Sequence, residues 1–175
     1  MEIRIREATI TDVRSIVEFQ QAMARETESV ELDPPVVSRG VQAVFDDPAR
    51  GRYFVAEAAG EVIASLLITY EWSDWRDGNV WWIQSVYVRP EFRRRGVYRR
   101  LYAYLKRLAA KERAVCGFRL YVERNNRRAQ ATYGAAGMER THYAIYEQLK
   151  PGVRFFTPAG AAAPSSPRQR ARTAR

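Results

Sequence analysis

Cysteine and histidine are nearly absent from this sequence, which contains one of each, Cys116 and His142. A single cysteine excludes an internal disulfide and a cysteine-based zinc site, and it is typical of a protein from a reducing cytoplasm. Histidine-centred catalysis has only one candidate residue. We therefore predict a cytoplasmic protein whose chemistry depends on other side chains, and we expect no metal site.

Long apolar runs are also missing. No segment approaches the roughly 20 consecutive apolar residues that cross a bilayer. The first ten residues, MEIRIREATI, alternate apolar and charged side chains, unlike a signal peptide. We expect no membrane partner. With 46% hydrophobic residues in a chain of 175, the sequence is long enough and apolar enough for one domain with a packed core.

Lysine is scarce, with 3 residues against 26 arginines, and the formal net charge is +9. Five of those arginines follow Lys150, where there are no acids, so the first 150 residues carry only +4. Residues 151–175 are rich in Ala, Pro, Ser and Arg without periodicity, which predicts a flexible basic tail. We therefore predict a folded domain over residues 1–150, and its mild basicity suggests an anionic partner.

The hydrophobic pattern predicts the element order β-α-α-β-β-β-α-β-α-β. Two apolar runs flank AAGE and indicate a hairpin, and the strand VWWIQSVYV ends before Pro90. The segment HYAIYEQL, residues 142–149, is predicted to be the last strand. This order is typical of an α/β (α+β) domain with a mixed, mostly antiparallel sheet and about four helices.

The segment VYVRPEFRRRGVYRRLYAYL, residues 86–105, places three arginines and Gly96 between a strand and an amphipathic helix. The first N–H groups of a helix lack internal partners and carry the positive end of its dipole. A glycine there lets the backbone approach a phosphate closely. The patterns GxxxxGK[ST] and GxGxxG are absent, so this is neither a Walker loop nor a dinucleotide fingerprint. Taken alone, the arginines are equally well explained as a solvated charge run or a nucleic-acid patch.

Two motifs together resemble the GNAT superfamily of acyl-CoA-dependent N-acyltransferases. Its signature [Q/R]-x-x-G-x-[G/A] corresponds to Arg93–Tyr98 here, preceded by a Val-x-Pro lead-in. The second motif is the strand and helix of LYVERNNRRAQATYGAAGM, which supplies Asn126, Tyr133 and Gly137 at the family's spacing. The resemblance covers roughly residues 3–149 and implies a GNAT-like domain with a splayed fourth strand.

The resemblance also implies which residues bind acetyl-CoA. In the fourth strand and the loop after it, these are Val86, Tyr87, Val88, Arg93, Arg94, Arg95, Gly96, Val97, Tyr98 and Arg99. Backbone groups of the strand would hold the thioester and pantetheine, and the loop amides would hold the pyrophosphate. Asn126 would bond the pantetheine arm. Tyr98 departs from the family, which has Gly or Ala there: either its ring turns away from the ligand, or the helix begins slightly differently.

Tyr133 matches the family tyrosine that lies beside the CoA sulfur and protonates the departing thiolate. A thiol has a pKa of about 8.5 and tyrosine one of about 10, so this proton transfer is mildly uphill in water. We expect a basic, half-buried site to lower the pKa of Tyr133 and ease the transfer.

An amine acceptor of pKa about 10.4 is neutral in only about one molecule in 2,500 at pH 7, so some group must accept its proton. The candidates are Glu71, Asp74, and a water chain along the fourth strand near Gln84 and Ser85. The sequence does not choose among them, and Glu71 is our first choice as the catalytic carboxylate.

The resemblance thus implies an acetyl-CoA-dependent N-acetyltransferase that moves the acetyl group to a primary amine by direct attack in a ternary complex. The alternative is a catalytically weak module that binds CoA or nucleic acid with the same basic surface. We expect acetyl-CoA and a small-molecule or peptide amine as partners rather than nucleic acid. A homodimer is a further expectation from the family.

Overall fold

The computed structural model describes residues 2–151. Five strands and four α-helices follow one another, with short 3-10 turns at several junctions. In chain order they are β1 (Arg4–Glu7), α1 (Val13–Glu28), α2 (Pro34–Asp46), β2 (Arg52–Ala58), β3 (Glu61–Ser73), β4 (Gly78–Val88), α3 (Val97–Ala109), β5 (Val115–Arg119) and α4 (Arg127–Ala135).

The strands form one sheet in the order β1-β2-β3-β4-β5. Neighbours from β1 to β4 are antiparallel, and β5 is parallel to β4 because α3 crosses between them. The predicted mixed, mostly antiparallel sheet with four helices is confirmed.

Strand β4 contains the irregularity that opens the sheet. Ser65 of β3 lies opposite Tyr87 and Leu67 lies opposite Gln84, so β4 carries one extra residue between these pairs. Ser85, within this bulge, has a φ of 51°. Pairing between β4 and β5 ends at Trp82 and Arg119, before the bulge. The two strands therefore diverge over the second half of β4, and the predicted splay of the fourth strand is confirmed.

Helices cover the sheet on both faces. One core, against α3, is built from fully buried side chains such as Phe54, Ile63, Trp81 and Leu101. The second core lies under α1 and α2 and includes Ile16, Val41, Tyr53 and Val55. Because strand side chains alternate, β3 and β4 present different residues to the two faces. We call these the α1 face and the α3 face.

The predicted strand at residues 142–149 is wrong, because the structure has no regular element there. Its apolar side chains are exposed, including Tyr143, Ile145 and Tyr146. Alternation alone does not make a strand, since a strand needs a hydrogen-bonded partner. The predicted tail, residues 151–175, lies outside the described residues except for residue 151.

None of the helices within residues 2–151 is both long enough and apolar enough to cross a membrane.

Candidate active site

The loop between β4 and α3 forms a concave row of backbone N–H groups. Arg94 has a φ of 64° and Gly96 one of 73°, so two left-handed residues curl the chain just before the helix. The first helical hydrogen bond runs from the N–H of Arg100 to the carbonyl oxygen of Gly96, at 3.1 Å. The N–H groups before Arg100 in α3 are therefore left without helical partners. Such a row at a helix N-terminus binds anions.

The arginines of this loop take two different roles. Arg94, Arg95 and Arg99 are exposed, and none of them forms an ion pair within residues 2–151. Arg93 is directed into the fold instead: its Nε donates to the carbonyl oxygen of Val88 at 2.8 Å, and its terminal nitrogen donates to Glu26 at 2.6 Å. Arg93 thus ties the loop to β4 and α1, while the other three place positive charge beside the amide row.

Glu26 was not found by sequence analysis. Its carboxylate also accepts a hydrogen bond from the hydroxyl of Tyr87 at 3.0 Å, and the Tyr87 ring packs on Phe19 with centroids 5.1 Å apart. Burial raises the pKa of Tyr87, so it donates this hydrogen bond as a neutral phenol. Glu26 lies 61 residues before Tyr87 in the chain, and no local pattern marks so distant a contact.

Beyond the bulge, β4 directs backbone groups into the open space beside it. The N–H of Arg89 donates to the carbonyl oxygen of Ile63 in β3 at 3.0 Å. Because strand backbone groups alternate in direction, those of Val88 and Val86 point away from β3. Strand β5 no longer pairs there, so this side of β4 is accessible to an extended ligand.

Asn126 and Tyr133 lie on α4. The side-chain oxygen of Asn126 accepts a hydrogen bond from the N–H of Ala129 at 3.0 Å and so caps the helix. Tyr133 is half-buried, and burial raises its pKa. The expected lowering of the Tyr133 pKa is therefore wrong, because desolvation disfavours the phenolate. The hydroxyl remains protonated throughout the neutral range and available as a proton donor.

The Tyr98 ring packs against tyrosines of α3 and α4, as expected for the alternative in which it turns away from the ligand. Its ring is parallel to that of Tyr102 at 6.1 Å and meets the ring of Tyr133 edge-on at 5.4 Å. Its hydroxyl is buried without a hydrogen-bond partner in the part of the chain that the structure describes.

Glu71 is held in a network rather than free to accept a proton. It accepts hydrogen bonds from the Trp82 indole and the Arg119 guanidinium, and these contacts hold the pKa of its carboxyl below its usual range. The Trp82 indole that binds the Glu71 carboxylate belongs to a residue three positions before Ser85, which is about 10 Å along the strand. A carboxylate that is held by two donors and has a lowered pKa is a weaker proton acceptor than a free one.

Asp74 lies farther away, in the turn beyond the end of β3, where its carboxylate accepts the N–H of Trp75 at 2.9 Å. Gln84 lies next to the bulge and donates to the hydroxyl of Thr69 at 2.6 Å. Gln84 and Thr69 share the α1 face with Glu71 and form a polar strip that leads to Ser85. Of the candidate routes for the amine proton, only this strip reaches the bulge.

Comparisons with known proteins agree with this geometry. The model of the acetyltransferase (GNAT) family matches residues 15–138. A "possible acetyltransferase" from Clostridium difficile 630 is 43% identical, with a TM-score of 0.80 over 86% of this chain and 99% of that one.

More distant structures share the fold. The aminoglycoside N-acetyltransferase AAC(6')-Iy, in complex with a bisubstrate analog, is 19% identical with a TM-score of 0.68, over 86% of this chain and 99% of that one. Glucosamine-6-phosphate N-acetyltransferase from Arabidopsis thaliana is 18% identical with a TM-score of 0.65, over 86% and 100%. No curated protein sequence matches this chain.

Proposed function

Because the chain belongs to the GNAT family of acetyltransferases, we propose that it transfers the acetyl group of acetyl-CoA to a primary amine. The transfer occurs by direct attack while both substrates are bound. The observation that carries this proposal is the amide row at the start of α3, which lies beside the diverging halves of β4 and β5. An anion site next to an open strand edge suits a ligand with a diphosphate at one end and an extended amide-bearing arm.

Acetyl-CoA is proposed to lie along this edge. The N–H groups from Arg94 to Arg99 take the pyrophosphate, with the exposed arginine side chains adding charge. The backbone groups of Val86 and the N–H of Val88, which point away from β3, take the pantetheine arm, with Asn126 on the opposite side. The backbone groups of Tyr87 point toward Ser65 of β3 instead, so the expected contact of Tyr87 with the ligand is not part of the proposal. Arg93 contributes by holding the loop in place, since its side chain is already bonded to Val88 and Glu26.

The chemistry needs two proton movements. The amine nitrogen attacks the thioester carbonyl carbon, the C–N bond forms, and the C–S bond breaks. The hydroxyl of Tyr133 then gives its proton to the departing sulfur. Its raised pKa keeps the hydroxyl protonated before the reaction, and the phenolate regains a proton from solvent afterwards.

The amine proton leaves through water on the α1 face. Gln84 and Thr69 line the way from the bulge, and the Gln84 side-chain oxygen is available to accept a hydrogen bond because its nitrogen donates to Thr69. This route replaces direct transfer to Glu71 or Asp74.

An amine acceptor also agrees with the names of two distant structural relatives, an aminoglycoside N-acetyltransferase and a glucosamine-6-phosphate N-acetyltransferase. Both relatives are less than 25% identical to this chain, so the likeness concerns the fold, and the proposal names primary amines as the acceptor class.

The test is release of CoA thiol from acetyl-CoA with a panel of small amines, polyamines and peptides. We expect turnover in the wild-type protein and a kcat about 100-fold lower in Tyr133→Phe, with CoA binding retained, because general acid catalysis contributes at least that much.

Thermal stabilisation by acetyl-CoA without turnover on any amine would favour the alternative, a CoA-binding module. A Tyr133→Phe variant with the full rate would show that the acid is another group.

A further inference from the structure

Five aromatic rings form a continuous row on the α3 face, which we call the aromatic ladder. Tyr133 of α4 meets Tyr98 of α3 edge-on, and Tyr98 is parallel to Tyr102, with 4° between the ring planes. Tyr102 meets Phe118 of β5 edge-on at 5.4 Å, and Phe118 meets Trp81 of β4 at 5.9 Å. The ladder thus connects Tyr133 with the buried centre of the sheet.

Helix α4 has little else to fix it. It is nine residues long, and none of its residues is fully buried. A short helix without buried residues gains little stability from packing, and its side chains can shift. The ring of Tyr98 is the aromatic partner of Tyr133 within the described residues, and it is itself held from below by Tyr102.

The Tyr98 hydroxyl does not explain why a tyrosine occupies this position. It is buried and has no hydrogen-bond partner among residues 2–151, an arrangement that costs stability rather than adding to it. The contribution of the residue is therefore its ring. A glycine or alanine here would leave the edge-on contact to Tyr133 empty.

We propose that Tyr98 is a positioning residue whose ring holds the Tyr133 hydroxyl at the sulfur of acetyl-CoA. This inference rests on the proposed function, in which Tyr133 is the acid. Proton transfer depends steeply on geometry, and a displacement of about 1 Å can cost as much as 100-fold in rate. The residue that departs from the family motif thereby acts on catalysis through its neighbour and leaves the phosphate contacts alone.

The test is a double-mutant cycle on kcat, with Tyr98→Leu, Tyr133→Phe and the combined variant. Leucine keeps an apolar side chain but removes the ring. We expect Tyr98→Leu to lower kcat about tenfold while the KM for acetyl-CoA changes less than about twofold, and Tyr98→Phe to keep the wild-type kcat. In the Tyr133→Phe background, Tyr98→Leu should lower kcat by less than about twofold, because the acid it positions is already gone.

Tyr104→Leu is the matched control, since Tyr104 lies on the same helix but packs on Phe54, away from Tyr133. It should lower the melting temperature without showing coupling to Tyr133. Equal effects of Tyr98→Leu in both backgrounds would overturn the positioning role and assign Tyr98 to stability alone.

If Tyr133→Phe keeps the full rate, the acid assignment and the role of Tyr98 both fail, while wild-type turnover in the same assay still supports acetyl transfer. If Tyr98→Leu does not fold, a Tyr98→Phe variant with a tenfold lower kcat would overturn the inference, because that variant retains the ring.

Discussion

Glu71 links three strands by side-chain hydrogen bonds on the α1 face. It belongs to β3, and its two donors, Trp82 and Arg119, are the last residues of β4 and β5 that pair with each other. Its carboxylate therefore lies at the point where the two strands begin to diverge. An ion pair there is suited to fixing the geometry of the opening rather than to exchanging protons.

We expect Glu71→Gln to retain kcat within about threefold, because the neutral amide keeps an oxygen for the Trp82 indole and no proton step passes through it. Both partners are more than a third exposed, so the free energy of unfolding should fall by no more than about 1 kcal/mol. Steady-state kinetics and urea unfolding measure the two effects.

Glu57→Gln serves as the comparison, since Glu57 pairs with Arg6 at 3.0 Å near the opposite edge of the sheet. A loss of 100-fold in kcat for Glu71→Gln alone would restore Glu71 as the general base.

At the scale of the element, the start of α3 depends on the left-handed conformation of Gly96. A Cβ atom at this position would lie 3.7 Å from the Arg99 side chain, an ordinary contact, so space does not demand the glycine. The φ of 73° demands the glycine, because an alanine in the left-handed region lowers stability by about 1 kcal/mol or more.

We therefore expect Gly96→Ala to lose about 1 kcal/mol of stability and to bind CoA about fivefold more weakly, because relief of the strain moves the loop amides. Calorimetric titration with CoA measures the binding. Gly60→Ala is the matched control: Gly60 has a φ of 80° in the turn between β2 and β3, and a Cβ atom there meets nothing within 4 Å. Equal CoA affinity of the two variants would argue against the amide row as the phosphate site.

The elements themselves were largely predictable from the sequence, because periodicity, glycines and prolines are local signals. The hairpin of β2 and β3, the end of β4 before Pro90 and the amphipathic α3 all follow from such patterns. The strand predicted at residues 142–149 is wrong for a physical reason. Alternating apolar residues show only a preference for extended backbone, and a strand forms only where a neighbouring strand supplies hydrogen bonds.

At the scale of the whole molecule, buried tyrosines make the fold sensitive to alkali. Burial raises the pKa of Tyr53 to about 12, and burial also raises the pKa values of Tyr98, Tyr102 and Tyr133. The folded state thus keeps protons that the unfolded chain releases near pH 10. Their stabilising contribution is complete below pH 10 and is lost as the pH rises through the folded-state values.

For Tyr53 this loss amounts to about 1.3 kcal/mol between pH 9 and pH 11, given a pKa of about 10 in the unfolded chain. A Tyr53→Phe variant should lose that much less stability over the same interval, measured by urea unfolding at both pH values. Tyr146→Phe is the control, because Tyr146 is 94% exposed. The same pH dependence in wild type and Tyr53→Phe would contradict the assignment.

The part of the candidate site formed by consecutive residues was predictable from the sequence. The part that depends on contacts between residues far apart in the chain was not. The loop from Arg93 to Arg99 could be located because strand, glycine and helix follow one another. The bond of Glu26 to Tyr87 and Arg93, the pairing of Glu71 with Arg119 and the stacking of Tyr98 join residues far apart in the chain. Such contacts depend on packing that no local pattern encodes.

The divergence of β4 and β5 leaves a gap in the sheet, and this gap connects its two faces. Tyr133 and the rest of the aromatic ladder lie on the α3 face. Gln84, Thr69 and Glu71 lie on the α1 face. Under the proposed function, acetyl-CoA and the amine therefore meet at the gap from opposite faces of the sheet. Each face is lined by its own set of side chains. Substitutions on the α1 face can therefore change which amine is accepted without altering the residues that bind acetyl-CoA.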